Sequence, residues 1–388
     1  MRIALCYERV IPARGGAETY ICDLARRLVR DGHTVHLLAS EWDEQALPLA
    51  LHYHRIPPAK GPRFLRPWRF GHACIAALSQ CDYDVSIGFD KTWGQDILYP
   101  QGGLHVACAE HNLFKYRQPW VRFLAYCLKR LDPAYWSYRL LEKRQYCAPP
   151  LPWIVVNSRM VQRHFEIHYG ISPDRIQVIP SAIDSQRFAA EDRFKRRYEE
   201  RQRWGVSDDA VVALFVAMNY RLKGLEPLLR ALASVTKPSL YLVVVGNPRY
   251  RRYERQARRW GIGDRVRFLG PRQDPRDCFF AADFLVHPTF YDPCSLVVLE
   301  ALACGLPVVT SRYNGAAELL HPPLEGLVVE DPHDTSALAH ALERMCDASY
   351  RREAAAAARA SGLAWRFEHH YQALMAVLEK VRRSKSAA

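Results

Sequence analysis

Residues 2–39 read RIALCYERVIPARGGAETYICDLARRLVRDGHTVHLLA, and the fold can be read outward from them. RIALCY at 2–7 is a short apolar strand. A loop ending in Gly15-Gly16-Ala17-Glu18 follows it. Ile21, Leu24, Ala25, Leu28 and Val29 then recur at the spacing of one face of an amphipathic helix. Gly32 lies just past that helix, where a left-handed capping residue belongs. TVHLLA at 34–39 reads as a second buried strand. A strand, a helix and a strand in succession predict a parallel sheet of the doubly wound α/β class.

The same alternation continues along the chain. Further strands are expected at 84–88 (DVSIG), 153–157 (WIVVN) and 176–180 (IQVIP). A second series is expected at 211–217, 240–246, 265–269, 284–287, 307–310 and 327–329, with helices between. The segment 189–205, AAEDRFKRRYEERQRWG, is highly charged and reads as an exposed connector helix with little core, so the domain junction falls near its start. A last helix is expected over 365–381. Two tandem α/β sheets set two rows of strand carboxyl ends, where ligands bind in open sheets of this kind.

Bulk properties narrow the classes. A length of 388 residues suits two domains. No stretch approaches the ~18 apolar residues of a membrane-spanning helix. The first residues, with Glu8 and Arg9 interrupting a short apolar run, do not read as a secretory signal, so a cytoplasmic location is expected. The 11 cysteines are scattered without a CxxC pair, which predicts reduced thiols and no zinc site. His369 and His370 are expected at the surface. The net charge of +13 favours anionic partners.

Candidate chemistry sits at strand-to-helix turns. Gly15 and Gly16 would let backbone approach an anion or a sugar beside a helix N-terminus. The turn lacks the GxGxxG pattern, which disfavours a dinucleotide site and a nicotinamide oxidoreductase. After the strand at 211–217, Arg221 and Lys223 precede Gly224 and a helix, an arrangement suited to pyrophosphate. After the strand ending at His287, Asp292 and Glu300 are separated by about two helical turns and can share a face, each carboxylate suited to accepting from sugar hydroxyls. Free N–H groups around Cys294, Ser295 and Leu296 could meet a phosphate or sugar between them. A plain N-cap aspartate and a solvated glutamate would show the same spacing.

These stretches, in this order, resemble glycosyltransferase family four over essentially the whole chain. They are GGAE at 15–18, VIPSAIDSQRF at 178–188, Lys223-Gly224, VVVG at 243–246, VRFLG at 266–270, AADFLVHPT at 281–289, Asp292 with Glu300, and EALACGLPVV at 300–309. The resemblance implies the GT-B fold, two Rossmann-like doubly wound parallel-sheet domains facing a central cleft, with a C-terminal helix crossing back to the first domain. It implies an acceptor-binding domain over 1–186, joined by 366–388, and a nucleotide-sugar-binding domain over 187–365. Gly15 and Gly16 resemble the glycine turn beside donor diphosphate and acceptor. Lys223 resembles the diphosphate-binding lysine, and Arg221 is displaced from the family's arginine, which falls near Met218. Glu300 resembles the ribose-binding glutamate, and Asp292 stands where the family has Glu. His105, in QDILYPQGGLHVA, resembles a histidine near the donor sugar in a bacterial branch. QD and His105, with the insertion that follows, resemble the lipopolysaccharide core glucosyltransferase I subgroup.

That insertion, 112–146, carries eight Lys or Arg and two acidic residues, interleaved with Trp120, Phe123, Tyr126, Tyr135, Trp136 and Tyr138. Contact with an anionic membrane or a lipid acceptor is favoured over a core helix pair with a basic face, and over nucleic acid. FLRPWRF at 64–70 repeats the theme. The resemblance therefore implies a retaining hexosyltransferase that needs no metal or other cofactor. It would move a hexose, glucose by expectation, from a UDP-sugar to a lipid-linked or lipopolysaccharide-core acceptor, peripherally at the inner membrane. Lys223, Asp292 and His105 are the expected catalytic residues. A nucleotide-sugar epimerase of the same fold and a non-catalytic basic membrane- or nucleic-acid-binding module are the alternatives.

Overall fold

Two parallel sheets organise the protein, whose structure, a computed structural model, describes residues 1–188, 192–272, 274–365 and 367–386. Met1–Pro180 together with Glu368–Ala388 form one unit, and Ser181–Phe367 form the other. The division at Pro180/Ser181 falls a few residues before the junction expected at 186/187.

The first unit holds a seven-stranded sheet in the spatial order His52–Arg55, Thr34–Ala39, Arg2–Cys6, Val85–Phe89, Ile97–Tyr99, Trp153–Val156, Ile176–Val178. Every pairing is parallel. The strand order reverses direction around Arg2–Cys6, so the carboxyl ends of Arg2–Cys6 and Val85–Phe89 flank a crevice. The helix Gly16–Arg30 buries Ile21, Leu24, Ala25 and Leu28, most of the face the sequence marks, and Gly32 closes it at φ +80°. Two strands escape the hydrophobic pattern. His52–Arg55 is a half-exposed edge strand of polar residues, and Ile97–Tyr99 is only three residues long.

The second unit holds six parallel strands in the order Val266–Gly270, Leu240–Gly246, Val211–Ala217, Phe284–His287, Val308–Ser311, Gly326–Val329. This is the 3-2-1-4-5-6 order, with its switch point between Val211–Ala217 and Phe284–His287. Val211, Ala213 and Phe215 join one core and Val212 and Leu214 the other. A strand buried on both faces reads as a continuous apolar run, which is why these strands are legible.

Three expectations need correction. The charged helix, observed over Arg193–Trp204, is not merely exposed: Arg201 is fully buried, with Glu200 and Trp204 beside it. Residues 189–191 of that expected segment lie outside the described residues. Arg201 tolerates burial because its donors are met. Nε bonds Ala281 O at 3.0 Å, Nη1 bonds the carbonyls of Ser207, Asp208 and Ala210, and Nη2 bonds Asp283 Oδ2 at 2.6 Å. His370 is also buried, contrary to the surface expectation, while His369 is exposed. Its ring lies 2.7 Å from the Tyr20 hydroxyl and 2.8 Å from Pro180 O. These contacts, with the Arg27–Glu368 ion pair and Lys385 Nζ at 3.1 Å from Asp96, seat the helix Phe367–Ser386 on the first unit. That helix runs beyond the expected end, and Arg366 lies outside the described residues.

The insertion divides into two unlike helices. Pro119–Leu131 buries none of its residues, whereas Pro133–Cys147 buries seven, including Leu141, Glu142, Gln145 and Tyr146. The first half is exposed or half-exposed throughout, whereas the second exposes one face, with Trp136, Leu140, Lys143 and Arg144, and buries the other.

The Arg201 network gives a first prediction. Arg201→Met should lower stability by about 3 kcal/mol or more, because Asp283 is left under-compensated in a buried place. Calorimetric unfolding of the full chain measures it, and an unchanged melting temperature would refute the role given to this guanidinium.

Candidate functional site

In the second unit the chemistry gathers at the switch point. The loop after Val211–Ala217 and the loop after Phe284–His287 are zipped together, with Phe290 N donating to Leu222 O at 2.9 Å and Thr289 Oγ1 donating to the same oxygen at 3.3 Å. Gly224 sits at φ +80°, and a Cβ there would come within 2.0 Å of Pro288 O. Both the left-handed conformation and this close approach require glycine. The turn aims Lys223 across the switch point, where Nζ meets Asp292 Oδ2 at 2.6 Å and Tyr291 O at 3.0 Å.

Asp292 is itself held by the next loop. Its N–H donates to Tyr313 O at 2.9 Å, and its carbonyl accepts from Gly315 N–H at 2.8 Å. Burial pushes the Asp292 carboxyl upward, but Lys223 and His287 outweigh it and hold the group well below the usual carboxylate range. His287 Nε2 lies 3.6 Å from Asp292 Oδ2, and burial keeps that imidazole's pKa below its ordinary value. The arrangement is an ammonium and a carboxylate fixed at the mouth of the sheet, backed by a histidine. Sequence reasoning missed His287 and Asn314. The first looked like an ordinary strand end, and the second carried a signal in the turn dipeptide Asn314-Gly315.

The helix Leu296–Ala303 begins beside this pair. The Ser295 N–H expected to face a ligand is already taken, donating to Asn314 Oδ1 at 3.2 Å. Cys294 is buried, and burial pushes its thiol up to about 12, so it acts as packing. The N–H groups of Leu296 and Val297 take no protein acceptor among the described residues. Glu300 lies one turn into that helix, half-buried and outside the Lys223–Asp292 contact; Asp292 sits in the loop before the helix, bridged to Asn314, so the two carboxylates are not the two helical turns apart that the spacing suggested. Burial pushes the Glu300 carboxyl up to about 7 against the pull of Arg187. No protein hydrogen bond to that carboxyl exists among the described residues. Arg221 is half-buried in the same loop as Lys223.

The first unit carries Gly15, Gly16 and His105. Gly15 caps the helix Gly16–Arg30, its carbonyl accepting from Thr19 N–H at 3.2 Å. Its φ of 168° is ordinary extended backbone, so no left-handed strain fixes glycine there. His105 opens the helix His105–Phe114 and lies against Tyr138, ring centroids 4.4 Å apart. Burial, then Lys129, Lys91 and Arg63, push its pKa down to about 4, so the imidazole is neutral near pH 7.

A residue the sequence did not single out places this histidine. Glu142, from Pro133–Cys147, accepts the N–H groups of His105 and Val106 and the Tyr169 hydroxyl. It is an N-cap from a distant helix, its oxygens accepting two of the N–H groups that a helix's first turn leaves without a partner. Its neighbour Gln145 donates to the carbonyls of Asp90 and Thr92. The second half of the insertion thus sets the backbone of two loops at the sheet's carboxyl edge.

The family described as Glycosyltransferase Family 4 matches residues 14–187, and that described as Glycosyl transferases group 1 matches residues 196–361. A probable transglycosylase of Burkholderia thailandensis is 30% identical over 89% of this chain and 88% of its own. The chain belongs to the family-four glycosyltransferases. Another member, the lipopolysaccharide glucosyltransferase WaaG of Escherichia coli K12, is 25% identical over 89% of each chain. The crystal structure of WaaG covers 98% of this glycosyltransferase with a TM-score of 0.79 at 23% identity. That of Anabaena HepE in complex with UDP-glucose covers 100% of both chains with a TM-score of 0.72 at 19% identity. The two parallel-sheet units are thus those of the GT-B fold, as expected from the sequence.

Glu142 supplies a second prediction. Burial pushes its carboxyl from 4.5 up to about 7. The folded chain therefore holds a proton that the unfolded chain releases. Its contribution is most favourable below pH about 4.5, falls as pH rises to about 7, and is constant above. Glu142→Gln should remove that slope and lower stability by about 1–3 kcal/mol, since an amide cannot accept all three donors. Melting temperatures of the two proteins across this range test it, and parallel curves would overturn the assignment.

Proposed function

We propose that this glycosyltransferase retains anomeric configuration and moves glucose from UDP-glucose to a lipid-linked or lipopolysaccharide-core acceptor at the inner membrane surface. The observation that carries the reading is the Lys223–Asp292 pair at the switch point, 2.6 Å apart, beside the unspent N–H groups of Leu296 and Val297. Lys223 would balance the departing diphosphate, with those N–H groups adding fixed positive dipole. Asp292, kept ionised, would accept from hexose hydroxyls, and the unpaired Glu300 carboxyl would take the ribose diol. Arg221 would add to the phosphate contacts within the second unit. The Gly15-Gly16 backbone and the neutral His105 are the groups the first unit would offer to a sugar or phosphate. The first unit would then bind acceptor and the second donor. The likeness to WaaG and to a UDP-glucose-bound relative supports glucose as the sugar and UDP as its carrier.

Membrane attachment would run through Pro119–Leu131. Trp120, Phe123, Leu124, Leu128 and Leu131 are all more than half exposed there, with Arg122, Lys129 and Arg130 among them. A short helix with large exposed apolar groups and cations suits the interface of an anionic bilayer. Among the described residues no helix is long and apolar enough to cross one.

Transfer from labelled UDP-glucose to membrane extract should fall about a hundredfold or more in Lys223→Ala and in Glu300→Gln, as for loss of a charged transition-state or donor contact. Activity retained in both would refute the reading, and the anomer of the product, read by NMR, tests retention. A further expectation concerns pH. A diol bound to Glu300 favours its ionised form, whereas burial pushes that carboxyl up to about 7. Affinity for UDP-glucose should therefore rise with pH and level off above about 7, by up to about tenfold per unit below that value. Calorimetric titration at several pH values measures it; Glu300→Gln should abolish the dependence.

A further inference from the structure

Two side chains stand ready to donate to one oxygen of Asp292, and one of them does so. Lys223 Nζ meets Oδ2 at 2.6 Å, while His287 Nε2 stands 3.6 Å from the same atom, beyond hydrogen-bond length. Both ring nitrogens of His287 are buried, and neither has a hydrogen-bond partner among the described residues. The ring is held in place all the same. It lies 28° from the plane of Phe215, centroids 5.9 Å apart. The carbonyl of the same residue accepts from Thr310 Oγ1 at 2.9 Å and from Thr289 N–H at 2.8 Å. A neutral imidazole carries one N–H, so His287 keeps a buried donor without an acceptor. Such a group is costly and calls for a reason.

The reason lies in what Lys223 has to do. Its ammonium is largely neutralised by Asp292, and a second of its hydrogens goes to Tyr291 O at 3.0 Å. A diphosphate approaching it would meet the Asp292 charge as well. To serve a diphosphate the ammonium has to turn away from Asp292, and its flexible four-carbon stem permits that. Asp292 cannot follow, because its backbone is bonded on both sides, to Tyr313 O and to Gly315 N–H. Its Oδ2 then needs another donor. Among the described residues, His287 is the side chain besides Lys223 that stands within ion-pair reach of this carboxylate. Burial lowers the pKa of the ring from its ordinary value, so it is neutral near pH 7. With its hydrogen on Nε2 it has to close the gap by about 0.7 Å to reach the ~2.9 Å of an ordinary N–H···O bond.

We propose that donor binding exchanges the partner of Asp292: Lys223 swings to the donor diphosphate, and His287 donates from Nε2 to Asp292 in its place. Resting on the donor-site reading above, this makes His287 a positioning residue. It keeps the Asp292 carboxylate aimed at the hexose once the ammonium has left it.

Two measurements test the exchange, and the first needs no ligand. Thermal unfolding of the full chain should find His287→Met close to wild type or more stable, because the Nε2 bond is not made while Lys223 holds Asp292. In a Lys223→Ala background the same change should lower the melting temperature, because there His287 is the donor left to Asp292. The second measurement is calorimetric titration with UDP-glucose. His287→Met should weaken binding about tenfold or more, and His287→Gln, whose amide nitrogen reaches nearly the place of Nε2, should restore most of it. A merely structural histidine predicts neither the coupling in unfolding nor the rescue by glutamine. Melting effects that add, wild-type affinity in His287→Met, or equal losses in the two variants would overturn the exchange and leave the donor site standing. A wild-type chain that binds no UDP-glucose would instead sink the donor-site reading, and the exchange with it.

Discussion

Lys223 and Asp292 meet at 2.6 Å where the order of the second sheet reverses. Neither group would be placed there without the loops that carry it. Gly224 lets the first loop pass against Pro288, and the hydrogen bonds from Phe290 and Thr289 to Leu222 O fasten the second loop to it. The loop around Asn314 then secures Asp292 from the far side. A half-buried ammonium and carboxylate are costly to desolvate separately and acceptable together, so the pair constrains the backbone of three loops. The same pair is where we propose that the nucleotide-sugar binds.

The second unit was far more legible than the first. Its strands are buried on both faces, so Val211–Ala217, Leu240–Gly246 and Phe284–His287 stand out as apolar runs with the bounds read from sequence. Edge strands have no such signature, and His52–Arg55 passed unseen. Arg201 and His370 were misjudged for a shared reason. Burial of a polar side chain depends on partners supplied from distant parts of the chain, here Ala281, Asp283 and Tyr20, and local composition does not reveal them. Lys223, Asp292 and Glu300 could be singled out because motif spacing carries them. Which backbone N–H groups remain unspent could not, because the use of Ser295 N–H by Asn314 is a tertiary fact.

The basic aromatic insertion shows how one composition can serve two purposes. Its first helix leaves Trp120, Phe123 and Leu131 exposed, while its second sends Glu142 and Gln145 into the unit. Glu142 occupies the N-terminal end of the helix that His105 begins, so the N–H groups of His105 and Val106 are already spent within the unit.

The seating of Phe367–Ser386 on the first unit bears on the order in which the chain is made. Tyr20, Arg27 and Asp96 emerge early from the ribosome, yet their partners His370, Glu368 and Lys385 emerge only after every residue of the second unit. Domains usually fold as they are synthesised, the N-terminal one first. Here the unit begun first is completed last, and until then the surface around Tyr20 waits uncovered for a helix still to be translated.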